Sequence, residues 1–313
     1  MANYFLDALN NKVDTIQKYL RYGNVNIIDD NGKSLLHYAA RGNAMEVSKL
    51  LLDNYINPNI TDNNGETALF EAVLRGEIGL VKLLLRNKAD INILNNNGES
   101  LFFKAINRGN DVMLDLLRDN EKIDFSLLNQ NDENVLFYAL KAQKNTLFKE
   151  IATADLLKQK DYHKRNLIMV AIMYNNEELF DYLYHDEVNL YETDNDNMNL
   201  LFYAARYGTS YICNTLLKRN PIIAGKDKNG LTIFDYAKQN DNYVYEIFDN
   251  YVHKTAYMDY QRIYPYHVAV ISRNYDLLNY VMPNIKKEDA DGISIERLIE
   301  LINDPVINKL FNK

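Results

Sequence analysis

The sequence predicts an all-α repeat protein in which short helix-turn-helix units stack into a solenoid. Alanine recurs at a nearly fixed interval, with successive spacings of 31, 33, 33, 34, 32, 33, 33 and 32 residues. Apolar residues at helical spacing surround each alanine, and turn-forming residues separate the helices. A unit of this size cannot bury its apolar face alone, so it must pack against its neighbours. The alanines are Ala8, Ala39, Ala72, Ala105, Ala139, Ala171, Ala204, Ala237 and Ala269.

Each unit opens with a tight turn and a first helix. An Asx-Gly pair forms the turn, because glycine takes the positive φ that such a turn requires. A hydroxyl residue stands two positions later and suits the N-cap of the helix that carries the alanine. The turn glycines are Gly32, Gly65 and Gly98, and the caps are Ser34, Thr67 and Ser100.

A second turn and a second helix complete the unit. Asn43, Gly76 and Gly109 fit the turn, since each tolerates the left-handed region. Apolar residues at i, i+3 and i+4 then predict second helices over residues 47–52, 80–85 and 112–117. A polar, extended link leads into the next turn.

At these residues the chain resembles the ankyrin repeat family. The family pattern runs Asp-x-x-Gly-x-Thr-Pro-Leu-His-x-Ala-Ala, then Gly-His-x-Glu-Val-Val-x-Leu-Leu-Leu, then Gly-Ala-Asp-Val-Asn. The closest matches are residues 29–52 and 62–92, and about nine degenerate copies cover nearly the whole chain. The resemblance implies an all-α ankyrin-repeat solenoid with short β-turn fingers and a concave surface that binds other proteins.

Two departures from the family pattern carry expectations of their own. The histidine of the pattern remains as His37 and His267, and elsewhere the position holds mostly aromatic or apolar residues, which favours apolar packing. The turn glycine is replaced by Asp132, Lys164 and Asn197, and later by Arg262, so these fingers are predicted to be irregular. The segment 144–165 is the most irregular stretch, where a bend or a register change is expected.

The repeats predict a single domain over residues 1–313. Residues 1–28 are expected to form an N-terminal capping repeat, 29–285 the central repeats and 286–313 a C-terminal cap. Polar faces at both ends suit caps, because a terminal repeat must shield the core from water.

Composition argues against several classes of function. A net charge of −8 gives no general support for nucleic-acid binding. The single cysteine, Cys213, allows no internal disulfide and favours a reducing compartment. We expect no signal peptide, no membrane span, a monomer and a cytoplasmic location, or the host cytosol if the protein is a secreted effector.

The sequence shows no catalytic or metal-binding motif. The five histidines form no His-x-x-x-His pair, and no phosphate loop or nucleophile elbow occurs. Glu192, Asp194 and Asp196 superficially resemble the start of a calcium loop but lack its central glycine and its twelfth-position glutamate. We therefore expect no enzyme activity, metal, cofactor or small-molecule substrate.

In the ankyrin family that the chain resembles, the turns and first helices line a concave groove. This resemblance implies that the residue before each alanine lies on the inner face. Tyrosine holds four of these nine positions, and arginines or lysines lie nearby on the same helices. Tyrosine and arginine are enriched at interface hot spots, although packing and solvation explain single residues equally well. The predicted partner-binding residues are Tyr38, Arg41, Arg75, Lys104, Arg108, Tyr138, Lys141, Tyr203, Arg206, Tyr207 and Tyr236.

Three functions remain open from sequence alone. The first is a rigid protein-interaction module that acts as an adaptor or as an inhibitor, such as an immunity protein, towards a partner protein of unknown identity. The second is a host-directed effector delivered by a secretion system or a virus. The third is an enzyme with a site in the degenerate middle repeats.

Overall fold

The computed structural model describes residues 3–259, except 220, 222, 224 and 241. These residues form seventeen helices, α1 to α17, and the described range contains no β-strand. Extended pairing there is limited to two isolated bridges, Ile28 with Ser34 and Leu94 with Ser100. The all-α fold class is confirmed. The chain divides into two compact units, Met1–Tyr162 and His163–Lys313, which are described separately.

The first unit contains five pairs of helices and one additional helical turn. Consecutive first helices pack side by side from α1 to α9, and α2, α4 and α6 pack in the same order. The first helices are α1 (Tyr4–Leu9), α3 (Leu35–Arg41), α5 (Ala68–Arg75), α7 (Leu101–Arg108) and α9 (Val135–Lys141). The second helices are α2 (Val13–Leu20), α4 (Met45–Asp53), α6 (Ile78–Arg86), α8 (Asp111–Arg118) and α10 (Asn145–Ile151), and the additional turn is α11 (Ala154–Leu157).

The second unit repeats the same arrangement with three pairs in its described part. Its first helices pack from α12 to α14 to α16, and α15 packs against α17. The first helices are α12 (Leu167–Met173), α14 (Leu200–Tyr207) and α16 (Ile233–Asn240). The second helices are α13 (Glu177–Leu183), α15 (Ser210–Leu217) and α17 (Asn242–Asp259).

The alanine column lies at the centre of the packing, as the spacing predicts. All eight alanines from Ala8 to Ala237 are at most 1% exposed, and Ala269 lies outside the described residues. The small side chain lets adjacent first helices approach closely, so a larger residue would overpack the contact.

The position of the family histidine is equally buried. Phe70, Phe103, Phe137 and Met169 are each at most 2% exposed, which confirms apolar packing there. Asp235 differs, because its carboxylate accepts hydrogen bonds from the amide and hydroxyl of Thr232 at 2.8 and 2.7 Å. This aspartate provides the local turn bonding that a histidine supplies elsewhere.

The finger turns keep their geometry where glycine is lost. The predicted positive φ is present at Gly32, Gly65 and Gly98, at 76°, 77° and 71°. However, Asp132, Lys164 and Asn197 adopt the same region, at 58°, 61° and 60°. The expected irregularity is therefore wrong for the backbone conformation of these three turns. Side-chain hydrogen bonds to Asn129 and Asp194 hold the turns at Asp132 and Asn197. Arg262 lies outside the described residues.

The predicted irregular segment contains α11, a single turn inserted after α10. At the N-terminus, α1 and α2 form the helix pair expected of a first repeat. The predicted C-terminal cap, residues 286–313, lies outside the described residues. The assignment of residues 1–313 to one domain stays a prediction.

Candidate functional site

An aspartate or asparagine, here called the finger Asx, fixes six finger turns of the described residues. In the second finger, Oδ1 of Asp62 accepts hydrogen bonds from the amides of Asn64 and Glu66, at 2.9 and 3.0 Å. The same pair of bonds, donated by the amides two and four residues later, recurs in both units. It makes a tight turn without requiring glycine. The finger Asx residues with these bonds are Asp29, Asp62, Asn95, Asn129, Asp194 and Asp227.

Neighbouring fingers are also joined to each other. The amide of Asn63 donates to the carbonyl of Asn31 at 2.9 Å, and that of Asn96 donates to the carbonyl of Asn64 at 2.8 Å. In the second unit, Lys228 donates to the carbonyl of Asp196 at 2.8 Å. The fingers of each unit therefore form an ordered edge next to the first helices.

Four of the five predicted contact tyrosines, all except Tyr207, are bonded to the finger Asx nine residues earlier. The hydroxyl of Tyr38 donates to Oδ2 of Asp29 at 2.7 Å. Tyr138 instead accepts a bond from Nδ2 of Asn129 at 3.0 Å, because an amide nitrogen is a donor. Both rings are half-buried. Their hydroxyls thus hold the finger against the first helix.

Tyr203 and Tyr236 are buried, which corrects the expectation that they line an open groove. Each ring is 4% exposed, and each hydroxyl donates to a finger aspartate at 2.7 Å, Tyr203 to Asp194 and Tyr236 to Asp227. Burial and the adjacent carboxylate raise the pKa of Tyr203 well above its usual value and that of Tyr236 to about 12. These tyrosines are primarily structural groups, and a variant at either would disturb the fold.

The lysines on this face are occupied by ion pairs. Lys104 Nζ lies 2.6 Å from Glu99 Oε2, and Lys141 pairs with Glu133. Burial raises the pKa of Glu99, but hydrogen bonds from Lys104 and Asn95 outweigh it and leave the pKa below its usual range. Lys104 and Lys141 are therefore half-buried groups that already have carboxylate partners.

The predicted arginines differ from the lysines. Arg41, Arg75, Arg108 and Arg206 are all exposed at the ends of first helices. Within residues 3–259, no carboxylate of a described residue lies within ion-pair distance of any of them. Of the predicted contact residues, these four present charge that no ion pair neutralises.

Arg206 is held between two aromatic rings. Its guanidinium carbon lies 4.9 Å from the ring centroid of Tyr207 and 5.1 Å from that of Tyr236, which is cation–π geometry. Beside it lies a polar pocket of about 190 Å³. Arg165 lines the pocket, but so do Asp194 and Asp196, so it carries both signs of charge.

The acidic turn with a superficial likeness to a calcium loop is used within the fold. Asp194 accepts bonds from two backbone amides and from Tyr203, and its side chain is buried. Across the described residues, no group of three histidine, cysteine or acidic side chains is arranged to hold a metal ion. Among the described helices, none is long and apolar enough to cross a membrane.

A larger cleft, of about 400 Å³, lies between α8 and α10 and is lined in part by the start of the segment 144–165. Its charged groups are paired with one another: Arg118 lies 2.5 Å from Glu150, and Lys144 lies 2.7 Å from Asp111. Each pair bridges adjacent second helices, and every side chain in the two pairs is at least 27% exposed. The cleft therefore presents surface charges that are paired with one another.

Sequence reasoning found the charged residues but missed the finger Asx. The signal was present, since Asx is followed nine residues later by tyrosine in four repeats. The Asx and the tyrosine nine residues later together indicate a hydrogen-bonded pair and not a contact surface.

Comparison with known families agrees with this geometry. The model of the family described as ankyrin repeats matches the chain three times, over residues 5–95, 75–166 and 168–261. A search of curated proteins gives no match to the sequence.

Proposed function

Because the chain belongs to the ankyrin repeat family, we propose that it is a non-catalytic module that binds a partner protein through its first-helix face. We define the first-helix face as the exposed surface of the first helices and fingers within each unit. The protein would act in the cytoplasm as a monomeric adaptor, or as an inhibitor that covers the active surface of its partner.

The four exposed arginines are the observation that carries this proposal. Side chains on the same face that have an internal role, such as Lys104, Lys141 and Tyr203, are paired within the fold. Within the described part of the chain, none of the four arginines has a carboxylate partner of this kind, and Arg206 alone of them contacts aromatic rings. Arginine is also among the residue types most enriched at interface hot spots. Finger bonds and packed helices hold the backbone beneath them in place, so little conformational entropy is lost on docking.

Affinity capture followed by mass spectrometry tests the proposal. The bait is the full chain, compared with Arg41→Ala/Arg75→Ala/Arg108→Ala and with a control, Lys49→Ala/Lys82→Ala/Arg86→Ala. The control removes three exposed cations from the second helices α4 and α6. We expect a partner that the wild type and the control retain and that the first-helix variant loses.

The pattern of capture also separates the alternatives. Equal retention by both variants would contradict binding through the first-helix face. A partner found in a host-cell lysate, and not in the lysate of the source cell, would favour the host-directed effector over the adaptor or inhibitor.

A further inference from the structure

Arg75 and Arg108 occupy equivalent places in adjacent repeats. They are 33 residues apart, each lies three residues after its column alanine, and each immediately precedes a glycine that ends the helix. Those glycines, Gly76 and Gly109, have φ of 76° and 70°. Arg41 lies one position earlier relative to its alanine, so it is not part of this pair.

Among the described residues, neither guanidinium group has a carboxylate at ion-pair distance, and two acidic neighbours are bonded elsewhere. Glu71, one turn before Arg75, lies 2.7 Å from Lys33 Nζ. Asp111, which follows Arg108 in the chain, lies 2.7 Å from Lys144 Nζ. In a chain with a net charge of −8, this leaves two exposed, equivalent positive groups one repeat apart. Their charge complements carboxylates, which arginine can bind through two parallel hydrogen bonds.

The distance between repeats determines which acidic segment fits. The pair lies on α5 and α7, which pack side by side, and packed helices lie about 8–10 Å apart. A polyproline II segment advances about 9 Å in three residues and returns its side chain to the same face. A strand returns to the same face after two residues, about 7 Å, and a helix after seven, about 10.5 Å. Of these three repeat lengths, that of polyproline II matches the distance between packed helices best.

We propose that Arg75 and Arg108 bind an extended acidic segment of the partner protein, with carboxylates three residues apart and one for each repeat. This inference rests on the proposed function, because it names the chemistry of the partner that the first-helix face receives. Exposed ion pairs of this kind weaken with salt, so binding decreases as ionic strength rises.

Fluorescence anisotropy with synthetic peptides tests the inference on the full chain. One labelled peptide carries two glutamates separated by two prolines, and a second peptide of the same composition has the glutamates adjacent. The variant Arg75→Gln/Arg108→Gln is compared with Lys82→Gln/Arg86→Gln, which removes two exposed cations from α6. Circular dichroism verifies that both variants fold.

We expect the spaced peptide to bind the wild type and the α6 variant equally, and to bind the Arg75/Arg108 variant about tenfold more weakly. Equal binding of the two peptides, or equal loss in both variants, would overturn the inference. If a captured partner still depended on the first-helix face while the peptides bound equally, the proposed function would stand and this inference alone would fail.

Discussion

The hydroxyl of Tyr203 donates a hydrogen bond of 2.7 Å to Oδ2 of Asp194, nine residues earlier in the chain. The other carboxylate oxygen, Oδ1, accepts the amides of Asp196 and Met198, so one side chain closes the finger turn and also joins it to helix α14. Tyr236 and Asp227 repeat the arrangement in the next repeat. This pairing turns a position expected to contact a partner into a structural one.

Tyr203→Phe tests the strength of that bond without creating a cavity. Removal of a buried hydrogen bond to a charged acceptor is expected to lower the free energy of unfolding by ~1.5–3 kcal/mol. The measurement is urea denaturation followed by circular dichroism. The control is Tyr207→Phe, because the hydroxyl of half-buried Tyr207 makes no hydrogen bond to the rest of the described chain. Equal effects of the two variants would mean that the bond contributes little.

Ala204→Leu tests the role of the alanine column. Ala204 is fully buried where α14 packs between α12 and α16, so three extra carbons must displace neighbouring side chains. We expect a loss of ~1–3 kcal/mol in the free energy of unfolding. Ala154→Leu in α11, at an exposed position, should leave the unfolding transition unchanged. An unchanged transition in Ala204→Leu would show that the assigned helix phase is wrong.

His37 gives the first unit a dependence on pH. Burial lowers the pKa of His37 below 6.5, and its imidazole bonds to Ser34 and to the carbonyl of Glu66. As the pH falls below about 6.5, the unfolded chain takes up a proton that the folded chain does not, so stability decreases. Above that pH, His37 is neutral in both states and causes no loss of folding stability.

The variant His37→Phe, which copies the residue at Phe70, should flatten this decrease between pH 7.5 and 5.5. Urea midpoints at several pH values measure it. His185→Phe, at an exposed position in the second unit, serves as the control and should keep the wild-type slope. A slope that survives His37→Phe would assign the pH dependence to another group.

Two glycine substitutions separate backbone strain from steric contact. Gly65 and Gly109 both have positive φ, so alanine at either position is expected to cost ~1–2 kcal/mol. A Cβ at Gly65 would also lie 2.8 Å from the amide nitrogen of Asn96, whereas at Gly109 it would meet no atom within 4 Å. Gly65→Ala should therefore lower the thermal midpoint more than Gly109→Ala. The reverse order would contradict the finger-to-finger packing described above.

The sequence predicted the helices and the alanine column because both depend on periodicity, which a single chain displays directly. It predicted irregular fingers at Asp132, Lys164 and Asn197 because glycine is the usual residue for a left-handed turn. At Asp132 and Asn197 the finger Asx holds that turn, and Asp and Asn tolerate the region. Lys164 adopts the same positive φ, although lysine does not favour this region. Nothing in the sequence predicts that conformation at Lys164.

The candidate site was only partly predictable. Residue type and helix position identified the arginines, and these are exposed. Whether a lysine or tyrosine on the same face is available depends on side chains from neighbouring fingers, as for Lys104 with Glu66 and Glu99. Such contacts arise from stacking of repeats, which the order of residues within one repeat does not reveal.

Site-specific photo-crosslinking to the captured partner tests the proposed binding face most directly. A photoreactive amino acid replaces either Asn107, exposed in α7, or Lys82, exposed in α6. Both positions leave Arg75 and Arg108 intact. If the partner docks on the first-helix face, irradiation crosslinks it at position 107 and not at position 82. Crosslinking at position 82 alone would place the partner on the second helices and contradict the account.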